Sequence, residues 1–202
     1  WSGIVNVFGG SETRKDSDYL KLYSGLDSES DTKWSGIFGA EMVLSKDWFE
    51  GRLMVMQSDT QGRVVSDGED WSEKTMQQIY GASALVDYND YLLTAELFYS
   101  DRTESYGRDL AYTLSAGKRF DGYLVLFTHG LYQQKIYQDN PEEVTETDRE
   151  KHRNTSIVVK FDVSASSDFK VQFEHWQDYS GSWFKENYGD ANTLSMAYNL
   201  VF

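Results

Sequence analysis

The sequence predicts an all-β protein: an antiparallel up-and-down transmembrane β-barrel in a single domain, with about ten strands visible in 202 residues. Three observations carry this. The closing segment Leu194–Phe202 alternates, with Leu194, Met196, Tyr198, Leu200 and Phe202 on one side and Ser195, Ala197, Asn199 and Val201 on the other. That period of two marks a strand with two unlike faces. The alternating segments are mostly longer than the about 5 or 6 residues of a globular strand, and reach the about 9–11 residues a tilted strand needs to cross a bilayer. The connections between them alternate between long and short, as in barrels with long outer loops and tight inner turns.

The strands are expected at 1–10, 33–46, 50–59, 75–88, 90–102, 107–120, 122–137, 153–165, 168–180 and 191–202. The first, third and seventh alternate poorly. Long connections fall at 11–32, 60–74, 138–152 and 181–190, with 103–106 intermediate. Tight turns fall at 47–49, Asn89, Asp121-Gly122 and 166–167. Parity puts every long connection at one end and every short one at the other. In 90–102 the apolar row is Tyr91, Leu93, Ala95, Leu97 and Tyr99. In 107–120 it is Leu110, Tyr112, Leu114, Ala116 and Phe120. Rings at the ends of such rows suit a membrane interface, so Tyr91, Tyr99, Tyr112, Tyr198 and Phe202 are expected in an aromatic girdle.

Composition narrows the function. Aromatics are 15 %, there is one proline and no cysteine. No apolar run of about 18 residues exists, so no transmembrane helix is expected. Low mean hydropathy is compatible with a barrel, because half of each strand faces water. A net charge of −14 opposes binding to nucleic acid, which needs a basic surface. Outer-membrane lipids and lipopolysaccharide are the expected surroundings. The acidic run in 138–152 reads first as a solvated loop; it lacks EF-hand spacing, and no metal or cofactor is expected.

Catalytic signals are weak. There is no HExxH, GxSxG or P-loop, and Gly9-Gly10-Ser11-Glu12 reads as a turn. His129 and His175 fall on rows otherwise facing lipid. On paper, His175 could meet Asp178 or Ser180, and His152 could meet Asp148, but no spacing demands either. A non-enzymatic pore is therefore expected, with an outer-membrane protease- or lipase-like enzyme and a loop-binding adhesin as alternatives. Charges facing the lumen would set its field: Glu41, Glu96, Arg119, Lys160, Asp162, Lys170, Gln172 and Glu174. The same groups could instead pair across strands and stiffen the wall.

Several stretches resemble a known family: Asp87-Tyr88-Asn89-Asp90-Tyr91 with Leu92-Leu93-Thr94-Ala95-Glu96, Gly117-Lys118-Arg119-Phe120-Asp121-Gly122-Tyr123, Phe169-Lys170-Val171-Gln172-Phe173-Glu174, and Gly189 through Phe202. Together, over about two thirds of the chain, they resemble the C-terminal half of the general outer-membrane porins of marine gammaproteobacteria. The resemblance implies a longer polypeptide whose preceding strands complete the barrel. It also implies passive diffusion of small hydrophilic solutes or ions, a homotrimer, and a closing strand read by the barrel-assembly machinery. An inward-folded loop usually narrows such pores; 11–32, with Tyr19-Leu20-Lys21-Leu22-Tyr23, is the candidate here.

Overall fold

A computed structural model describes residues 1–16, 30–65, 70–102, 107–135, 150–181 and 189–200. Ten strands make one antiparallel sheet in chain order: β1 (Ser2–Arg14), β2 (Ser30–Lys46), β3 (Phe49–Val64), β4 (Thr75–Tyr88), β5 (Tyr91–Arg102), β6 (Gly107–Phe120), β7 (Tyr123–Lys135), β8 (Lys151–Ser164), β9 (Ser167–Asp178) and β10 (Ala191–Leu200). Among the described residues each strand pairs with its sequence neighbours only, and β1 and β10 are the edges of the sheet. Among the described residues no helix is long and apolar enough to cross a membrane.

The short connections are two-residue turns: Asp47-Trp48, Asn89-Asp90, Asp121-Gly122 and Ala165-Ser166. Two of them need a left-handed residue, at Asn89 (φ 54°) and Gly122 (φ 76°). Asparagine and glycine tolerate that conformation where other side chains clash.

The strands differ from expectation mainly at the long-loop end. β1 runs to Arg14 and β2 starts at Ser30, so both ends of 11–32 are strand. Likewise β3 runs past residue 59 to Val64, β8 starts at Lys151, and β9 stops at Asp178. Polar residues here break the apolar alternation, yet backbone pairing does not require it. Gly9-Gly10-Ser11-Glu12 is no turn: it lies inside β1, where the register shifts between Gly10 and Glu12. A glycine inside a strand often marks such a bulge. The poorly alternating first, third and seventh segments are strands nonetheless. Residues 17–29, including Tyr19–Tyr23, lie outside the described residues, as does Phe202.

Strand register sorts side chains onto two faces. On one, Leu53, Ala82, Leu97 and Tyr112 lie side by side, as do Val125, Val159, Val171 and Met196. Leu53, Leu97, Leu114, Phe127, Ile157, Phe173, Leu194 and Met196 on this face are all exposed. The other face holds nearly all the burial, and it is polar: Ser58, Ser100, Asp109, His152, Ser156 and Asp178 are buried there. Among the described residues no hydrophobic side chain is buried. In a water-soluble sheet the pattern is the reverse. We call these the exposed and the enclosed face.

The register also gives the strand slope. Phe49, Val86, Leu93, Ala116, Phe127, Ile157 and Phe173 lie on one row across β3–β9. Phe49 is at the closing pair of its hairpin (Lys46 with Phe49), but Val86 is two residues short of Tyr88, which closes the next with Tyr91. Ala116 is four short of Phe120, and Ile157 is seven short of Ser164, one residue of that being a bulge. If the short turns share a plane, the slip is about one residue per strand. At about 3.3 Å along for about 4.8 Å across, the strands tilt by about 35°, as barrel strands do.

Candidate functional site: the enclosed face and its two rims

All eight residues expected to face a lumen alternate onto the enclosed face, and most are engaged. Glu41 Oε1 meets Arg52 Nη1 at 3.2 Å, and Asn6 Nδ2 donates to Glu41 Oε2 at 3.3 Å. Arg52 also reaches Glu50 at 3.5 Å. Arg119 crosses over β5 to hold Asp87 through two hydrogen bonds of 2.6 and 2.8 Å. Lys160 Nζ lies 3.4 Å from Asp162 and 3.6 Å from Asp168. Glu174 accepts from Asn154 and from Gln172, each at 3.1 Å. Glu96 and Lys170 make no such contact among the described residues. Glu96 instead borders a hollow of about 310 Å³ with Glu41, Arg52, Met54 and Phe98. Cross-strand pairing thus occupies most of the wall's charge.

The most buried polar cluster sits at the long-loop end of this face. Arg102 Nη2 donates to Asp109 Oδ2, and the Tyr132 hydroxyl donates to Asp109 Oδ1 at 3.1 Å. His152 stacks on Trp176 with centroids 4.9 Å apart, and lies parallel to Tyr132 at 6.1 Å. Its Nε2 is 2.7 Å from Glu150 Oε1, and its Nδ1 is 3.5 Å from Asp178 Oδ1. Asp178 accepts from the backbone amides of Ser180 (2.8 Å) and Gly189 (3.3 Å), closing the chain across the end of β9. Sequence reasoning did not assemble this cluster. Alternation puts Asp109, Tyr132, His152, Trp176 and Asp178 on one face, but only the register brings them to one height.

The expected pairing of His175 with Asp178 or Ser180 does not form; Ser180 Oγ is engaged by the Lys151 backbone. His175 is on the exposed face, where its Nδ1 meets Asn192 Oδ1 at 2.8 Å. Asp178 lies on the opposite face beside His152, because residues three apart on a strand point to opposite sides. Asp148 lies outside the described residues. His129, also on the exposed face, meets Thr155 Oγ1 at 3.1 Å.

Two belts cross the exposed face. Near the short turns, Trp1, Phe49, Tyr91, Phe120, Tyr123, Phe161 and Tyr198 follow one another, with Trp1 and Trp48 edge-on to Phe49 and Phe120 stacked on Tyr123 at 4.8 Å. Lys46 and Lys118 lie over these rings. Higher up, Tyr80 faces Tyr99 at 6.0 Å and Tyr112 faces His129 at 6.2 Å, with His175 continuing the line. Tyr91 and Tyr99 are eight residues apart, and Tyr123 and His129 six. At about 3.4 Å per residue and the slope above, the belts are about 16–22 Å apart in height, close to the about 25 Å apolar band of membrane barrels. Side chains between them are apolar.

Among the described residues no group of three or more histidine and carboxylate side chains is placed to hold a metal ion. The chain matches no protein-family model and no curated protein sequence.

Proposed function

We propose that these strands belong to a β-barrel of the bacterial outer membrane, a porin that passes small hydrophilic solutes or ions by diffusion. The observation that supports this best is the inverted burial: a ten-stranded meander with apolar side chains exposed on one face and charged ones enclosed on the other. Lipid replaces a protein core on the first face, and water replaces it on the second. The belts of rings and histidines bound the apolar band where headgroups begin. A conduit of this kind needs no covalent step; its wall charges set the field that a solute crosses.

The test is current through planar bilayers to which the detergent-folded protein is added. Stable steps of open current that persist in chelator support the porin reading. Insertion without any steps defeats it and leaves a non-conducting barrel acting through its loops. Protein that never inserts defeats the membrane assignment itself.

A further inference from the structure

We infer that the exposed-face rim above the upper belt on β7–β9 binds anionic, phosphate-bearing lipid headgroups through Lys151 and Arg153. The inference rests on the membrane reading above and adds to it a lipid site.

The chain carries a net charge of −14, and several of its cations near the long-loop end are neutralised. Arg63 is paired with Asp31, Lys74 with Asp59, and Arg108 with Asp101. Lys15 and Lys33 meet no carboxylate among the described residues, but they lie on separate segments; Lys151 and Arg153 share one strand. They are two apart on β8, so both point to the exposed face, and neither meets a carboxylate among the described residues. Arg153 lies one outward position above Thr155, which stands between His129 and His175 in the upper belt. Beside it on the same face are Leu131 and Gln177, and beside Lys151 is Gln133.

The guanidinium of Arg153 is held 4.8 Å over the Tyr179 ring. A guanidinium fixed on a ring and meeting no carboxylate among the described residues suits a phosphate, which its outer nitrogens can engage. Below the His129–Thr155–His175 row lie Phe127, Ile157 and Phe173, which would meet the acyl chains of the same lipid. The acidic remainder of the chain repels an anionic leaflet, so two adjacent unneutralised cations on one strand are where such a lipid would be retained.

The experiment is native mass spectrometry of the full, detergent-folded chain with equimolar phosphatidylglycerol and phosphatidylcholine of identical acyl chains. Each cation near an anionic surface is worth about fivefold, so wild type should favour phosphatidylglycerol by about 25-fold. Lys151→Gln/Arg153→Gln should bring the ratio near one, while Lys74→Gln, which removes a paired cation at a similar height, should leave it unchanged. Arg153→Lys should keep part of the preference, since it keeps the charge and loses the fork. Folding of each variant is checked by heat-modifiable electrophoretic migration. No preference in wild type, or one that survives in the folded double variant, overturns the site and leaves the barrel standing. Adducts displaced by millimolar inorganic phosphate place a free-phosphate site there and overturn the lipid assignment. A wild-type chain with no heat-modifiable form overturns both readings.

Discussion

The two ends of the sheet hold their charges differently. At the short-turn end the chain reverses in two residues, and the Arg119–Asp87 pair on the enclosed face stays open to water, with side chains 40 % and 44 % exposed. At the long-loop end, Asp109, His152 and Asp178 are 7 %, 5 % and 2 % exposed. Two-residue turns leave few backbone groups to satisfy. Long connections leave many, and side chains close the gap, as when Asp178 accepts the amides of Ser180 and Gly189. A charge so enclosed has lost its water, and its partners must replace that hydration. Similar ion pairs should therefore differ severalfold in what their removal costs.

The largest effect is expected at Asp109. Asp109→Ala leaves the enclosed Arg102 guanidinium without its carboxylate and the Tyr132 hydroxyl without its acceptor. Breaking a buried pair from one side costs about 3–5 kcal/mol. Urea unfolding in lipid vesicles should show that loss, and Arg102→Ala in the same chain should recover part of it, because the enclosed charge that Asp109 balanced is then gone. An Asp109→Ala loss below about 1 kcal/mol would mean that water reaches this cluster freely, and the contrast between the ends would collapse.

Much of this architecture was legible in the sequence, and the part that was not has a physical reason. Alternation fixes faces, so Glu41, Glu96, Arg119, Lys160 and Glu174 could be assigned to one side without coordinates. Tight turns were legible where chemistry marks them, at Asn89 and Gly122. Register is a longer-range property: nothing local says that Tyr132 lies opposite His152 or that Arg119 reaches over Leu92 to Asp87. The strand ends failed for a related reason. Beyond the upper belt both faces turn polar, and Glu12, Thr13 and Arg14 read as loop although their backbones pair with β2. In the same way, the bulge at Gly10–Glu12 looked like a turn, since glycine serves both.

An intermediate effect is expected at the turns. Gly122 sits at φ 76° with no atom within 4 Å of an added Cβ, so Gly122→Ala meets backbone strain and no crowding. That costs about 1–2 kcal/mol. Gly122→Asn should cost less, since asparagine tolerates the left-handed region. Equal costs for the two substitutions would mean that the turn relaxes to another form, and that the short-turn end is held by its rings and not by its backbone.

The smallest effect is expected at Arg119. Its bond to Asp87 is bidentate, the strongest geometry an ion pair can take, and by geometry alone it would rank with the Asp109 cluster. Exposure argues otherwise: water solvates both partners once they part, and exposed pairs contribute about 0–1 kcal/mol. Arg119→Ala should therefore lower stability by less than about 1 kcal/mol in the same urea titration. The small loss should shrink further in molar salt, which screens exposed charges but not enclosed ones. The Asp109→Ala loss should hardly respond to salt. If Arg119→Ala instead costs as much as Asp109→Ala, with no salt dependence, water is excluded from the short-turn end too. The enclosed face would then be a filled wall along its whole length, and the diffusion reading would lose its open path.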